Sequence, residues 1–300
     1  TLRPAVSGTA GNLITFKAFP GDECRGDVGA KGQQAKTDCR VIISGAGVNI
    51  NRNYIRVEGF EIRNNGLVGV NVGANNIEIV NNYIHGGTSS NGDGAEGIFV
   101  ITGTTDLLIE NNYLHDVWRG VKLDDSTQRR VIIRNNQITK TYCDGVRGAA
   151  SDSVFEGNWI HNAHPTGCHR DALALANSYS NLTIRNNRIH GYTQLIYFPV
   201  KDDPGNVLTD IKIYGNVLFT DEYPGDPSGE APGIQLRAPS DATVQRVEIH
   251  SNTCGCVGYP CVRISGSGGS FSDVKIRNNI FYQSGIDAGG LKYIASCDRH

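Results

Sequence analysis

A segment that recurs every few tens of residues, an asparagine kept at the same turn of every copy, and a turn-rich composition with 37 Gly and no long helical periodicity predict an all-β solenoid. The form predicted is a single-stranded parallel β-helix of about nine to ten coils with an asparagine ladder. The recurring segment reads IEIVNNYIH (77–85), LIENNYLH (108–115), IIRNNQIT (132–139), VFEGNWIH (154–161), TIRNNRIH (183–190), KIYGNVLF (212–219), EIHSNTCG (248–255) and KIRNNIFY (275–282). Aligned on the second turn residue, these copies set Asn82, Asn112, Asn136, Asn158, Asn187, Asn216, Asn252 and Asn279 at steps of 22 to 36 residues. Between them runs a second short motif, as in GVNV (69–72), GIFV (97–100), GVKL (120–123), GVRG (145–148) and ALAL (172–175). Each unit therefore holds about three short strands. A unit this small cannot bury an apolar face alone, so neighbours must stack, each strand bonding to its equivalent about 4.8 Å along the axis. Ile109, Leu114, Val121 and Leu123 then point into a continuous core, and the uneven spacing places loops of different length on a constant scaffold. A leucine-rich repeat fails because the leucines do not recur at its offsets, and an antiparallel sandwich leaves the repeated Asn unexplained.

The coils are expected over about 41–285 of one domain spanning 1–300, with 286–300 as a C-terminal cap and an N-terminal cap expected ahead of position 1. No Met occurs, even at position 1, which fits a processed or trimmed chain. A net charge of −2 points to no nucleic-acid partner, and no apolar run is long enough to cross a membrane. A monomer is expected. Eight Cys without paired Cys-x-x-Cys motifs read as disulfides rather than zinc ligands, and so as a secreted protein. Cys24 and Cys39 flank one loop, and Cys143 and Cys168 fall on adjacent coils. Cys254, Cys256, Cys261 and Cys297 leave their connectivity open.

Two outward columns carry candidate chemistry. One follows the asparagines, with Tyr83 and His85, Tyr113 and His115, Trp159 and His161, and Arg188 and His190. Its histidines are spread one per coil without carboxylates, so they read as stacked surface rings rather than as a metal site. The other column lies on the second motif. Glu96, Arg119, Asp144, Asp171 and Gln194 align just ahead of that strand, and Phe99, Lys122, Arg147, Ala174, Tyr197, Gln235 and Arg263 align three residues later. The loops 86–95, 162–170 and 220–231 reach the same edge, and one of them delivers His169 beside the carboxylates. Long loops on a rigid scaffold are where binding residues concentrate.

Lys122, Arg147, His169 and Tyr197 are expected to be catalytic, and Arg119, Phe99, Gln194, Gln235 and Arg237 to bind substrate. Arginine matches carboxylates bidentately, so an acidic polysaccharide suits this face. β-Elimination needs the sugar carboxylate neutralised, a base for the neighbouring proton and an acid for the leaving oxygen. Glu96, Asp144 and Asp171 offer oxygen ligands for calcium.

The pattern over 41–285, with SGTAGNLITFKAFPGDECRG (7–26) and NYIRVEGFEIRNNG (53–66) ahead of the later coils, resembles the right-handed parallel β-helix of the pectate-lyase-like superfamily. That resemblance implies a secreted polysaccharide lyase with basic groove residues, often with calcium. The Asp-Pro-His signature of mannuronan C5-epimerases and the motif set of polygalacturonases do not occur. An epimerase-like enzyme, a glycoside hydrolase with paired carboxylates, and a non-catalytic polysaccharide-binding β-helix are the alternatives.

Overall fold

The computed structural model describes residues 1–24, 37–87, 94–124, 127–165, 168–176, 178–199, 206–219, 232–239, 241–255, 260–282, 286–288 and 291–292. They form three parallel sheets that run the length of a right-handed β-helix, and each coil contributes one strand to every sheet. The first sheet has ten strands, from Ile14–Lys17 to Ser270–Arg277. The second has ten three-residue strands, from Ile42–Ser44 to Ile280–Tyr282. The third has eleven, from Val48–Ile50 to Leu291–Lys292, and that last strand alone pairs antiparallel. Ile286–Ala288 continues the third sheet in parallel, and 293–300 of the expected cap lie outside the described residues.

Strand alternation fills the interior. Ile79, Ile109, Ile133, Phe155, Ile184, Ile213 and Ile249 stack in one inward column, each at most 1% exposed. Burying such a side chain contributes about 1.5–3 kcal/mol. Ile98, Val121, Val146, Leu173, Ile196 and Ile234 form the matching inward column of the third sheet, as their spacing predicts.

The two residues of each Asn-Asn pair do different work. The first is left-handed, with φ of 58° at Asn81, 54° at Asn111, 53° at Asn135 and 56° at Asn186. Asn tolerates that region better than other side chains, and Gly157 and Gly215 replace it at no steric cost. The second residue points inward as a rung of the ladder. Its Nδ2 donates to Oδ1 of the next asparagine at 2.9–3.2 Å from Asn82 through to Asn279. The same Oδ1 accepts the backbone N–H of the preceding rung, so a buried turn has its polar groups paired.

From the fourth coil onward the first sheet has a feature that the motif does not anticipate. Asp106, Arg130, Asn181, Asp210, Arg246 and Asp273 sit inside its strands with φ of 51–60°, and Asp152, at 55°, immediately precedes Ser153–Glu156. Where the paired stretches run on both sides, each such residue opposes its equivalent in the next coil, so the kink stays in register, and strands reach eight residues where it links two paired stretches.

A close backbone approach carries the chain into the third sheet. A Cβ on Gly120 would lie 2.5 Å from the Gly145 carbonyl oxygen and 2.6 Å from Ile138 Cγ2. Glycine before the motif therefore sets the corner, and the residue ahead of it, Arg119 or Asp144, is aimed outward.

Candidate active site

Strand register places the predicted column as the sequence spacing implies. Phe99, Lys122, Arg147, Ala174, Tyr197, Gln235 and Arg263 are successive partners along the third sheet. Ahead of them, backbone bonds from Gly97 to Arg119, Gly120 to Asp144 and Gly145 to Asp171 align the charged residues one coil apart. Gln194 pairs in register with Asp171.

The charged residues form one network. Glu96, Asp144 and Asp171 are each at most 2% exposed although they face outward; Arg119, Lys122 and Arg147 lie against the first two and His169 against the third. Arg119 Nη1 is 3.2 Å from Glu96 Oε1, and its Nε is 3.4 Å from Asp144 Oδ2. Arg147 Nη1 reaches the same Asp144 oxygen at 3.7 Å. Lys122 Nζ stands 4.0 Å from Glu96 Oε1 and 5.0 Å from the centre of the Phe99 ring. His169 Nδ1 is 3.0 Å from Asp171 Oδ1, with the imidazole half exposed. The Asp171 backbone N–H donates to Asp144 Oδ1 at 3.3 Å. Burial, and then the neighbouring Asp171 charge, push the Asp144 carboxyl up to about 7, against the pull of Arg147 and Arg119. Three permanent cations face three carboxylates, so protonation of Asp144 leaves a positive excess.

A disulfide joins Cys143 to Cys168 immediately ahead of Asp144 and His169, and it ties the two acidic coils together at their loop edge. Cys24–Cys39 and Cys254–Cys261 are the other described bridges, while Cys256 and Cys297 lie outside the described residues. The loop tips 88–93, 166–167 and 220–231, expected to wall this face, also lie outside them.

Tyr197 stands apart from Lys122 and Arg147. Ala174 separates it from Arg147, a gap of two rungs or about 10 Å. Its hydroxyl accepts from Arg237 Nη1 at 3.4 Å, and with Gln194, Gln235, Arg237, Arg263 and Ser265 it lines a polar pocket of about 250 Å³. Arg119, expected to meet substrate, is instead enclosed between two acids, with 14% of its side chain exposed.

The carboxylates do not converge as a calcium cage. The Arg119 guanidinium fills the space between Glu96 and Asp144. Among the described residues, the compact set of potential metal ligands is Cys143, Asp144 and Cys168, whose sulfurs are bonded to each other.

The histidine column stacks as expected. Ring centroids are 5.2 Å apart for His85–His115 and 5.4 Å for His161–His190. The rings bury one another, however, so His161 and His190 are under 10% exposed rather than on the surface. Burial, with His190 and Arg188 close by, takes the His161 imidazole down to about 3. A larger trough of about 960 Å³ crosses the first sheet, but its Arg130 and Arg134 are paired with Asp106 and Glu110.

A family model described as "Right handed beta helix region" matches residues 30–172 and 151–299. No curated protein sequence matches. Among solved structures, the GH136 lacto-N-biosidase from Eubacterium ramulus superposes with a TM-score of 0.58 at 13% identity, covering 92% of this chain and 60% of its own. The chain thus spans about 60% of the length of that protein. DFA-IIIase from Arthrobacter chlorophenolicus A6 without its lid gives 0.50 at 13% identity, covering 88% and 85% of the two chains. An alginate lyase from Paenibacillus sp. str. FPU-7 gives 0.49 at 14% identity, covering 83% and 90%. At these identities the likeness concerns the fold.

Proposed function

The chain belongs to the right-handed β-helix family, and from that premise we propose that it is a secreted carbohydrate-active enzyme that cleaves an acidic, uronic-acid-containing polysaccharide by β-elimination on the outer face of the third sheet. One observation carries the reading. A buried carboxyl of raised pKa, Asp144, lies one coil from a His–Asp pair, under cations that outnumber the ionised carboxylates once Asp144 is protonated.

In this mechanism Lys122 and Arg147 take the sugar carboxylate and draw off its charge, which acidifies the adjacent C–H. Asp171 holds His169 through Nδ1, which makes Nε2 the basic nitrogen that removes that proton. The electron pair forms a carbon–carbon double bond, the glycosidic C–O bond breaks, and the departing oxygen takes the proton of Asp144. Arg119 and Glu96 orient the acid and the lysine. Tyr197, Gln194, Gln235 and Arg237 bind the neighbouring part of the chain, which gives Tyr197 a binding role in place of a catalytic one. No step is routed through calcium. The three described disulfides support an extracellular location.

Hydrolysis is the second reading, favoured by the adjacency of Asp144 and Asp171, since neighbouring carboxyls about 5 Å apart suit a retaining mechanism. Incubation with pectate, alginate and glycosaminoglycans separates the two. Ultraviolet absorbance from unsaturated uronides supports elimination, new reducing ends without it support hydrolysis, and neither product on the whole panel overturns the enzymatic reading.

A further inference from the structure

The polar pocket beside Asp171 contains two groups that the fold leaves without hydrogen-bond partners. Gln194 and Gln235 are 4% and 5% exposed, and the Oε1 of each is buried with no partner among the described residues. A buried acceptor without a donor costs the fold about 1–3 kcal/mol, so two together in one small pocket call for an explanation. Both amides line the same cavity, with the Tyr197 hydroxyl, Ser265 and two guanidiniums around them. Its 250 Å³ lies below the range usual for drug-sized ligands and suits one saccharide unit. Gln194 stands one rung from Asp171, and in the neighbouring column Ala174 is the residue between Arg147 and Tyr197, so the pocket lies within two rungs of the charged network.

We propose that this pocket is a hydroxyl-reading subsite. The two amide oxygens accept hydrogen bonds from free hydroxyls of the sugar unit next to the cleaved linkage, so units whose hydroxyls are O-acylated or O-alkylated are rejected. The inference rests on reading this face as a saccharide groove. Acceptors cannot pair with an ester or ether oxygen, and a site built to bond a hydroxyl discriminates strongly because the wrong ligand leaves its buried groups unpaired. Asp144 and His169 have no part in the discrimination, which belongs to binding rather than to bond cleavage.

The test titrates the Asp144→Asn protein calorimetrically with oligogalacturonate, oligomannuronate, oligoguluronate and chondroitin oligosaccharides, each unsubstituted and O-methylated. The wild-type protein is assayed on the same ligands for unsaturated products. At least one unsubstituted oligosaccharide is expected to bind roughly tenfold to a hundredfold more tightly than its methylated counterpart. Gln194→Leu and Gln235→Leu, each checked for unchanged circular dichroism and for melting no lower than wild type, are expected to remove most of that ratio by weakening the unsubstituted ligand and relieving the methylated one. Steric exclusion alone would leave the ratio intact in both variants, and that result overturns the proposal. Equal affinities, or no binding by any oligosaccharide, also overturn it. Unsaturated products without discrimination would remove the subsite and leave the reaction standing. Glutamine-dependent discrimination without such products would do the reverse.

Discussion

Truncation of Asn158 to alanine tests whether the ladder holds the coils together. Asn158 Oδ1 accepts from the backbone N–H and from Nδ2 of Asn136, both at 3.0 Å. Its Nδ2 donates to the Ile133 carbonyl at 2.9 Å and to Asn187 Oδ1 at 3.0 Å. The damage is unequal among the partners. Asn136 Nδ2 keeps its bonds to Ile109 and Arg134, and Asn187 Oδ1 keeps the Asn158 N–H, but the Asn136 N–H is left buried and unpaired. One orphaned donor at about 1–3 kcal/mol and the three other lost bonds at about 0.5–1.5 kcal/mol each give a loss of roughly 2.5–7.5 kcal/mol. Urea denaturation followed by circular dichroism measures it. Asn158→Asp keeps the acceptor but turns a second oxygen toward two acceptors, which raises its folded pKa. Its stability should therefore be greatest below the unfolded value of about 3.9 and fall as pH rises through the folded one. Asn279 makes similar bonds at the partly exposed end of the ladder, where water replaces them, so Asn279→Ala should cost less. An Asn158→Ala loss under about 1 kcal/mol, or one no larger than that of Asn279→Ala, refutes the argument.

Asp144→Asn should lower turnover by about 10²–10⁴-fold because it removes the proton donor, and retention of wild-type kcat would move the acid elsewhere. The Asp144 carboxyl titrates near 7 in the fold against 3.8 ordinarily, so below pH 4 it is neutral in both states. Between about pH 4 and 7 it ionises in the unfolded chain alone, and stability should fall by up to about 1.4 kcal/mol per pH unit, a slope that Asp144→Asn flattens in pH-dependent melting. Lys122→Ala and Arg147→Ala should each abolish measurable turnover with melting nearly unchanged, since both side chains lie on the outer face, and wild-type rates in both would place the groove elsewhere. The Cys143→Ala/Cys168→Ala protein should lose about 3 kcal/mol from opening a 25-residue loop, together with more activity than the Cys24→Ala/Cys39→Ala protein. Full turnover in EDTA is expected, and its loss would restore calcium to the mechanism.

The ladder and the column of the third sheet were readable because a solenoid has nearly constant register. Aligning the asparagines fixes which residue stacks on which, so the alignment of Lys122 with Arg147 needed nothing beyond counting. Depth was not readable in the same way. Glu96, Asp144 and Asp171 face outward by parity, yet Arg119 and Arg147 lie against the first two and His169 against the third, and parity says nothing of how neighbouring long side chains lie. His161 and His190 sink for the same reason. The left-handed kinks at Asp106, Arg130 and Asp210 carry no motif of their own, since an isolated Asp or Arg in a strand reads as an exposed residue until its φ is seen.

The asparagine ladder also bears on how the molecule ages. Each rung is secured by both neighbours, so disorder must enter from the two ends and travel coil by coil, as in other one-dimensional assemblies. The acids and cations of the charged network lie at the third to sixth of the third sheet's eleven strands, two strands from one described end and five from the other. Nicking or fraying of the outer coils would erode the scaffold long before reaching the chemistry. A protein exposed to extracellular proteases would thus shorten gradually, with its reactive centre among the last parts to fail.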